Sequence, residues 1–208
     1  MLIDFRKLFP KYGIKPSGVL HLGANVGEEA PVYDELGIKD VIWVEANPDL
    51  IPQLVTNTNQ YKHGIILACM GDVEGKEVDF HVSNNAGQSS SILELGTHKI
   101  AHPEVHYVES YKTTMRRGDV LFNEIGLGSI DFLNLDLQGA ELLALRGMGD
   151  LLKQFKWIYT EVNQQELYKG CVLVGDLDLF LNGHGFKRVE TSWCGNTGWG
   201  DALYIKGI

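Results

Sequence analysis

The sequence predicts an α/β fold, a Rossmann-like three-layer sandwich on a mostly parallel sheet, and three observations carry that expectation. Short apolar runs alternate with helix-like stretches along the chain. A glycine-bearing turn, Gly23-Ala24-Asn25-Val26-Gly27, joins the first run to the first helix-like stretch. Carboxylates stand at the ends of later runs, at Glu45, Asp136 and Glu161. At 208 residues, with no linker or internal repeat, the chain is read as one domain over 1–208.

Val19-Leu22, after Pro16-Ser17-Gly18, is the first predicted buried strand. Gly27 to Gly37 follows as a helix, with Glu28 and Glu29 at its start and Pro31 tolerable only in or near the first turn. Val41-Glu45 is the second strand; Asn47-Pro48 then reads as an N-cap with proline at the first helical position. Pro52 is expected to kink or shorten that helix, and Ile65-Cys69 to form a third strand. Val78, Phe80 and Val82 alternate as in a half-exposed strand.

From about 83 to 117 the chain turns irregular and polar, and so long an insertion is a candidate substrate lid. Tyr107-Thr114 suits a strand within it, and Gly118-Ile125 a helix. Ile130-Leu137, Trp157-Val162, Phe186-Val189 and Ala202-Ile205 complete the strands. Helices are expected from Ala140 and over Leu177-Leu181, the latter stopped by Gly183.

A formal charge of −9 argues against a general nucleic-acid binder. Arg116-Arg117 is more simply a solvated turn than a basic patch. Three widely spaced cysteines form neither a disulfide framework nor a zinc motif. No signal-peptide core and no run near the roughly 20 apolar residues of a membrane span is present, so a cytoplasmic protein is expected.

In open α/β sheets ligands bind beyond the carboxyl ends of the strands. The glycine turn lets backbone approach a ligand closely, although a plain strand-helix turn reads the same way. Alanine at the second glycine of G-x-G-x-x-G makes a dinucleotide a poor fit. Glu45, 18 positions beyond Gly27, is placed to accept ribose hydroxyls, and in this order and spacing the two features favour a nucleoside. Asp136 and Glu161 face one crevice. They suit either a general base or a divalent cation such as Mg or Mn, with capping of the helix from Ala140 as the alternative for Asp136 or Glu141.

VLHLGANVGEE, WVEANP, NNAGQSSSI, IDFLNLDLQGAELLALRGM and WGDALYI, in that order, resemble the FkbM-type family of class I S-adenosylmethionine-dependent O-methyltransferases. The likeness runs from about Val19 to Ile205, and the IDFLNLDLQGAE block and the serine run are more specific than the glycine turn. It implies a seven-stranded sheet with an antiparallel last strand, and methyl transfer to a hydroxyl of a small molecule, sugar or glycan. Gly23, Ala24, Asn25 and Gly27 would line the amino-acid part of the cofactor. Glu45, with Ala46 beside it, would take the ribose, and Cys69-Met70 would lie near adenine.

Two positions depart from that pattern: His21 stands where many relatives carry an acid, and Gln138 where the family usually has glutamate. An alcohol needs a base or a metal to remove its proton, a role assigned here to Asp136 with Glu161. Ser89, Ser90, Ser91, His102 and Gln138 are the candidate substrate contacts, with His98, His106, Tyr107, Trp193 and Trp199 as further lid groups or sugar-stacking rings. A nicotinamide dehydrogenase and a non-catalytic cofactor-binding module are the rival readings.

Overall fold

The computed structural model describes residues 1–61 and 63–207. Helix α1 (Phe5–Tyr12) leads into strand β1 (Val19–Leu22), helix α2 (Ala30–Glu35), β2 (Val41–Glu45) and α3 (Ile51–Thr58). Then come β3 (Gly64–Leu67), β4 (Cys69–Met70), β5 (Glu77–Ser83), α4 (His98–Ala101), β6 (Tyr107–Arg116) and α5 (Gly118–Ile125). The chain closes with β7 (Phe132–Leu135), α6 (Glu141–Met148), β8 (Trp157–Asn163), α7 (Val174–Gly183), β9 (Phe186–Trp193) and β10 (Trp199–Lys206).

The main sheet has seven strands in the order β3-β2-β1-β7-β8-β10-β9. Pairs from β3 to β8 are parallel, and β10 is antiparallel to both its neighbours, as expected for the last strand. The chain winds outward from β1 through β2 and β3, then resumes on the other side with β7. The switch point therefore lies between the carboxyl ends of β1 and β7, where such sheets hold ligands.

Alternation along each strand divides the core between the two faces. Leu20, Leu22, Leu133 and Leu135 pack with Leu121, Phe122, Leu145, Met148 and Leu177 from α5, α6 and α7. Val19, Trp43, Phe132 and Tyr159 pack with Phe5, Phe9, Tyr33 and Leu54 from α1, α2 and α3. The same period puts His21 and Asn134, register partners on β1 and β7, among the second set.

Several boundaries differ from the sequence reading. The first expected helix begins only at Ala30, because Pro31 has no N–H to give and fits the first turn alone. Pro52 likewise falls in the first turn of α3, and the stretch from Pro48 is shortened, a separate 3-10 turn over Pro48–Leu50 preceding the helix. The third strand divides: β3 pairs with β2, and Cys69–Met70 leaves to pair with Met115–Arg116 in a second, three-stranded sheet, β4-β6-β5. Part of the polar insertion is thus ordered, since β6 within it pairs antiparallel with β5, which precedes it. Helix α1, capped by the Asp4 side chain, has no counterpart in the sequence reading. Among the described residues no helix is long and apolar enough to cross a membrane.

Candidate active site

A cavity of about 520 Å³ opens at the switch point. Its walls are the turns after β1, β2, β7 and β8, the strand β4, and the segment between β5 and α4. Its size lies within the roughly 300–1,000 Å³ of ordinary small-molecule sites.

The turn after β1 is built against β7. Gly23 has φ +81°, and a Cβ there would lie 1.8 Å from the Asp136 carbonyl oxygen. Position 23 must therefore be glycine. Asn25 also adopts a left-handed φ of 47°, and its backbone N–H donates to Glu45 Oε2 at 2.7 Å. The N–H groups of Ala46 and Asn47 donate to Glu45 Oε1. Burial pushes the Glu45 carboxyl up, and these backbone donors draw it back. Glu45 thus ties two ligand-facing turns together and lines the cavity. Ala46, Cys69, Met70 and Phe80 form an apolar strip beside it.

Gly27 departs from its expected place, because it does not line the cavity. A Cβ there would lie 2.7 Å from Leu54 Cδ1 and 2.9 Å from Thr58 Cγ2, so α3 pressing on the turn makes it a glycine.

His21 lines the cavity but is buried beneath Trp43, with ring centroids 4.9 Å apart. Its Nδ1 stands 3.2 Å from the Tyr33 hydroxyl, which accepts from Asn134 Nδ2 at 2.8 Å. Burial lowers its pKa to about 3, so the ring is neutral and supplies no charge in place of the missing acid.

Asp136 and Glu161 do meet in the cavity, with Gln138 between them. The Gln138 amide donates to Asp136 Oδ1 at 2.5 Å and to Glu161 Oε2 at 3.1 Å. Its oxygen accepts from the Tyr168 hydroxyl. Desolvation within the cavity pushes Asp136 up to about 6, while the amide's hydrogen bond pulls it down. Burial and then the charges of Glu141, Asp136 and Asp201 hold Glu161 well above the usual range. Each carboxylate thus opposes a second negative charge beside it, so the pair disfavours being doubly ionised. Glu141, fully buried, accepts from the Leu137 and Gly139 N–H groups and holds the loop that carries Gln138.

Ser89, Ser90, Ser91 and His102 all line the cavity. The serine hydroxyls are nonetheless engaged within the fold. Ser89 Oγ accepts from Asn85, Ser90 Oγ from the Ser83 N–H, and Ser91 Oγ donates to the Gln138 carbonyl at 2.8 Å. The insertion is stitched to the loop after β8: the N–H groups of Gly96 and His98 donate to the Leu167 carbonyl, and that of Thr97 to the Glu166 carbonyl. Trp199 reaches the cavity. Tyr107 instead stacks on His81, and Trp193 packs against the core.

The sequence reading overlooked Asp201, Tyr168 and Glu29, which also line the cavity. Asp201 lies opposite Glu161 on the antiparallel β10 and accepts from the Tyr159 hydroxyl at 2.6 Å. Its signal was an acid inside the apolar strand WGDALYI.

Residues 21–188 match the Methyltransferase FkbM domain. The chain belongs to the FkbM methyltransferase family. Within curated proteins it is 30% identical over 160 residues to the 2-O-methyltransferase NoeI of Sinorhizobium fredii (strain NBRC 101917 / NGR234), covering 73% of this chain. The chain spans 65% of that relative's length. Solved structures share the FkbM domain's fold at low identity. Sp1610 of Streptococcus pneumoniae is 15% identical with a TM-score of 0.55, covering 100% of this chain and 71% of that one. Magnesium protoporphyrin IX methyltransferase (ChlM) of Synechocystis PCC 6803 is 9% identical with a TM-score of 0.54, covering 96% and 74%.

Proposed function

We propose that this FkbM-family chain is an S-adenosylmethionine-dependent O-methyltransferase acting on a hydroxyl of a sugar or glycan. One observation carries the reading. A single cavity joins a nucleoside-like wall (Gly23, Asn25, Glu45, Met70) to a polar and aromatic wall (His98, Tyr168), with Asp136 linked to both. The 2-O-methyltransferase relative supports the same acceptor chemistry.

The residues fit that cofactor. The turn at Gly23 brings backbone to the cavity, Glu45 stands where ribose hydroxyls would meet a carboxylate, and Cys69, Met70 and Phe80 offer an apolar face to a purine. When bound, the cofactor supplies an already activated methyl group. The protein's tasks are to align the acceptor oxygen and take its proton. Alignment alone is worth on the order of 7–11 kcal/mol in favourable cases. Asp136, held by Gln138, is the proton acceptor, and Glu161 anchors the other side of the same amide.

The cation alternative for Asp136 and Glu161 fits less well. A donor, the Gln138 amide nitrogen, stands between them, and among the described residues no three His, Cys, Asp or Glu side chains stand together as cation ligands. The test is incubation with labelled S-adenosylmethionine and a panel of sugars and glycoconjugates, with products read by mass spectrometry. A methyl ether on a sugar hydroxyl, formed equally with and without a chelator, is the expected result. Binding of NAD(H) with no binding of S-adenosylhomocysteine would overturn the reading.

A further inference from the structure

Most carboxylates lining the cavity are already engaged. Glu45 takes three backbone N–H groups. Asp136 and Glu161 share the Gln138 amide, and Asp201 takes the Tyr159 hydroxyl. Glu104 faces His102 at 3.8 Å, and Glu28 is exposed.

Glu29 differs from all of these. It lines the same cavity two residues after Gly27, yet among the described residues its carboxylate accepts only from its own backbone N–H. Burial pushes it up to about 7; the Met1 amino group and that N–H act against burial, while Asp136 and Glu28 add to it. A half-buried carboxylate with so few donors is a site for a cation.

Glu29 shares the cavity wall with His21 and with Gly23, Ala24 and Asn25 of the glycine turn, the part assigned to the cofactor's amino-acid end. The other residue available there, His21, is neutral and already bonded to Tyr33. The cofactor of the proposed reaction carries a primary ammonium on its amino-acid end, and that ammonium needs a free carboxylate.

We propose that Glu29 is the counter-ion of the cofactor's α-ammonium group, doing from the start of α2 what His21 cannot do from the end of β1. This assignment rests on the S-adenosylmethionine reading above.

The experiment uses S-adenosylhomocysteine, which has the ammonium and no sulfonium, beside the same molecule with hydrogen in place of the α-amino group. Calorimetry on the wild-type chain, Glu29→Gln and Glu29→Asp gives a dissociation constant for each. Wild type should prefer S-adenosylhomocysteine by about tenfold or more, the scale of one charge-assisted hydrogen bond. Glu29→Gln should lose that preference, its affinity for the deaminated ligand unchanged, and Glu29→Asp should keep most of it. A preference undiminished in Glu29→Gln, or equal loss of both ligands, overturns the assignment. Tighter binding of S-adenosylhomocysteine by Glu29→Gln also overturns it, because Glu29 would then oppose the ligand's carboxylate. If wild type binds neither ligand, the cofactor reading itself falls. Should Glu29→Gln melt far below wild type, Glu29→Asp and the ligand pair decide alone.

Discussion

Gly23 lies directly beneath the backbone carbonyl of Asp136, so close that a Cβ would fall 1.8 Å from the oxygen. The turn proposed to hold the cofactor and the strand end proposed to take the proton are therefore one packed unit. Displacing either moves both. Gly23→Ala should cost S-adenosylhomocysteine affinity by tenfold or more and lower the melting temperature as well, since φ +81° is strained for alanine even without the clash. A variant that bound and melted like wild type would disprove that coupling.

Asp136→Asn should reduce kcat by at least a hundredfold while leaving cofactor affinity within about threefold, as expected when a general base is lost and binding is spared. Desolvation within the cavity pushes the Asp136 carboxyl up to about 6, and a base works only when ionised. Wild-type kcat should accordingly fall as pH drops through about 6 and level off above it. A flat profile from pH 5 to 8 would remove Asp136 from the role.

His21 makes stability depend on pH. Its folded pKa, near 3, lies below the usual histidine value of about 6.5. Between these values the unfolded chain binds a proton that the folded chain does not, so stability rises with pH through that window and is lost on acidification. The slope is up to about 1.4 kcal/mol per pH unit. Urea melts at pH 7 and pH 5 should differ by roughly 2 kcal/mol less in His21→Leu than in wild type. Equal differences in the two proteins would show that His21 does not stay neutral.

Ser91 is buried, donating to the Gln138 carbonyl and accepting from the Leu93 N–H. Ser91→Ala should cost about 1–3 kcal/mol of stability. Replacing Ser89, Ser90 and Ser91 together should raise the acceptor's KM far more than the cofactor's Kd, because they form the insertion's cavity wall. Equal losses would move the segment to the cofactor side.

Much of the frame was legible in the chain because its signals are local. The apolar run Val41–Glu45 begins and ends as expected, as does the helix Gly118–Ile125. Asp136 and Glu161 could be placed together because both follow apolar runs, and parallel strands deliver their ends to one edge. Glu45 was legible for the same reason, at a fixed distance from the glycine turn.

Gln138, Gly27 and the serines were legible as positions and not as roles. Gln138 looked like a lost carboxylate, but its amide is bonded to the two carboxylates that remain and to Tyr168. Gly27 looked like part of the cofactor turn but answers to Leu54 and Thr58. Asp136 aside, the partners that set both meanings lie between 23 and 31 residues away.

The sequence by itself determined the α/β order, the strand ends that carry carboxylates, and the family to which the chain belongs, because periodicity, turn residues and motif spacing are written along the backbone. Only the tertiary structure decided what those side chains are able to do. Protonation, orientation and availability are set by burial and by neighbours distant in sequence. His21 is neutral because Trp43, Tyr33 and Asn134 enclose it, and Glu29 keeps an unshared carboxylate because, among the described residues, no other residue's donor reaches it.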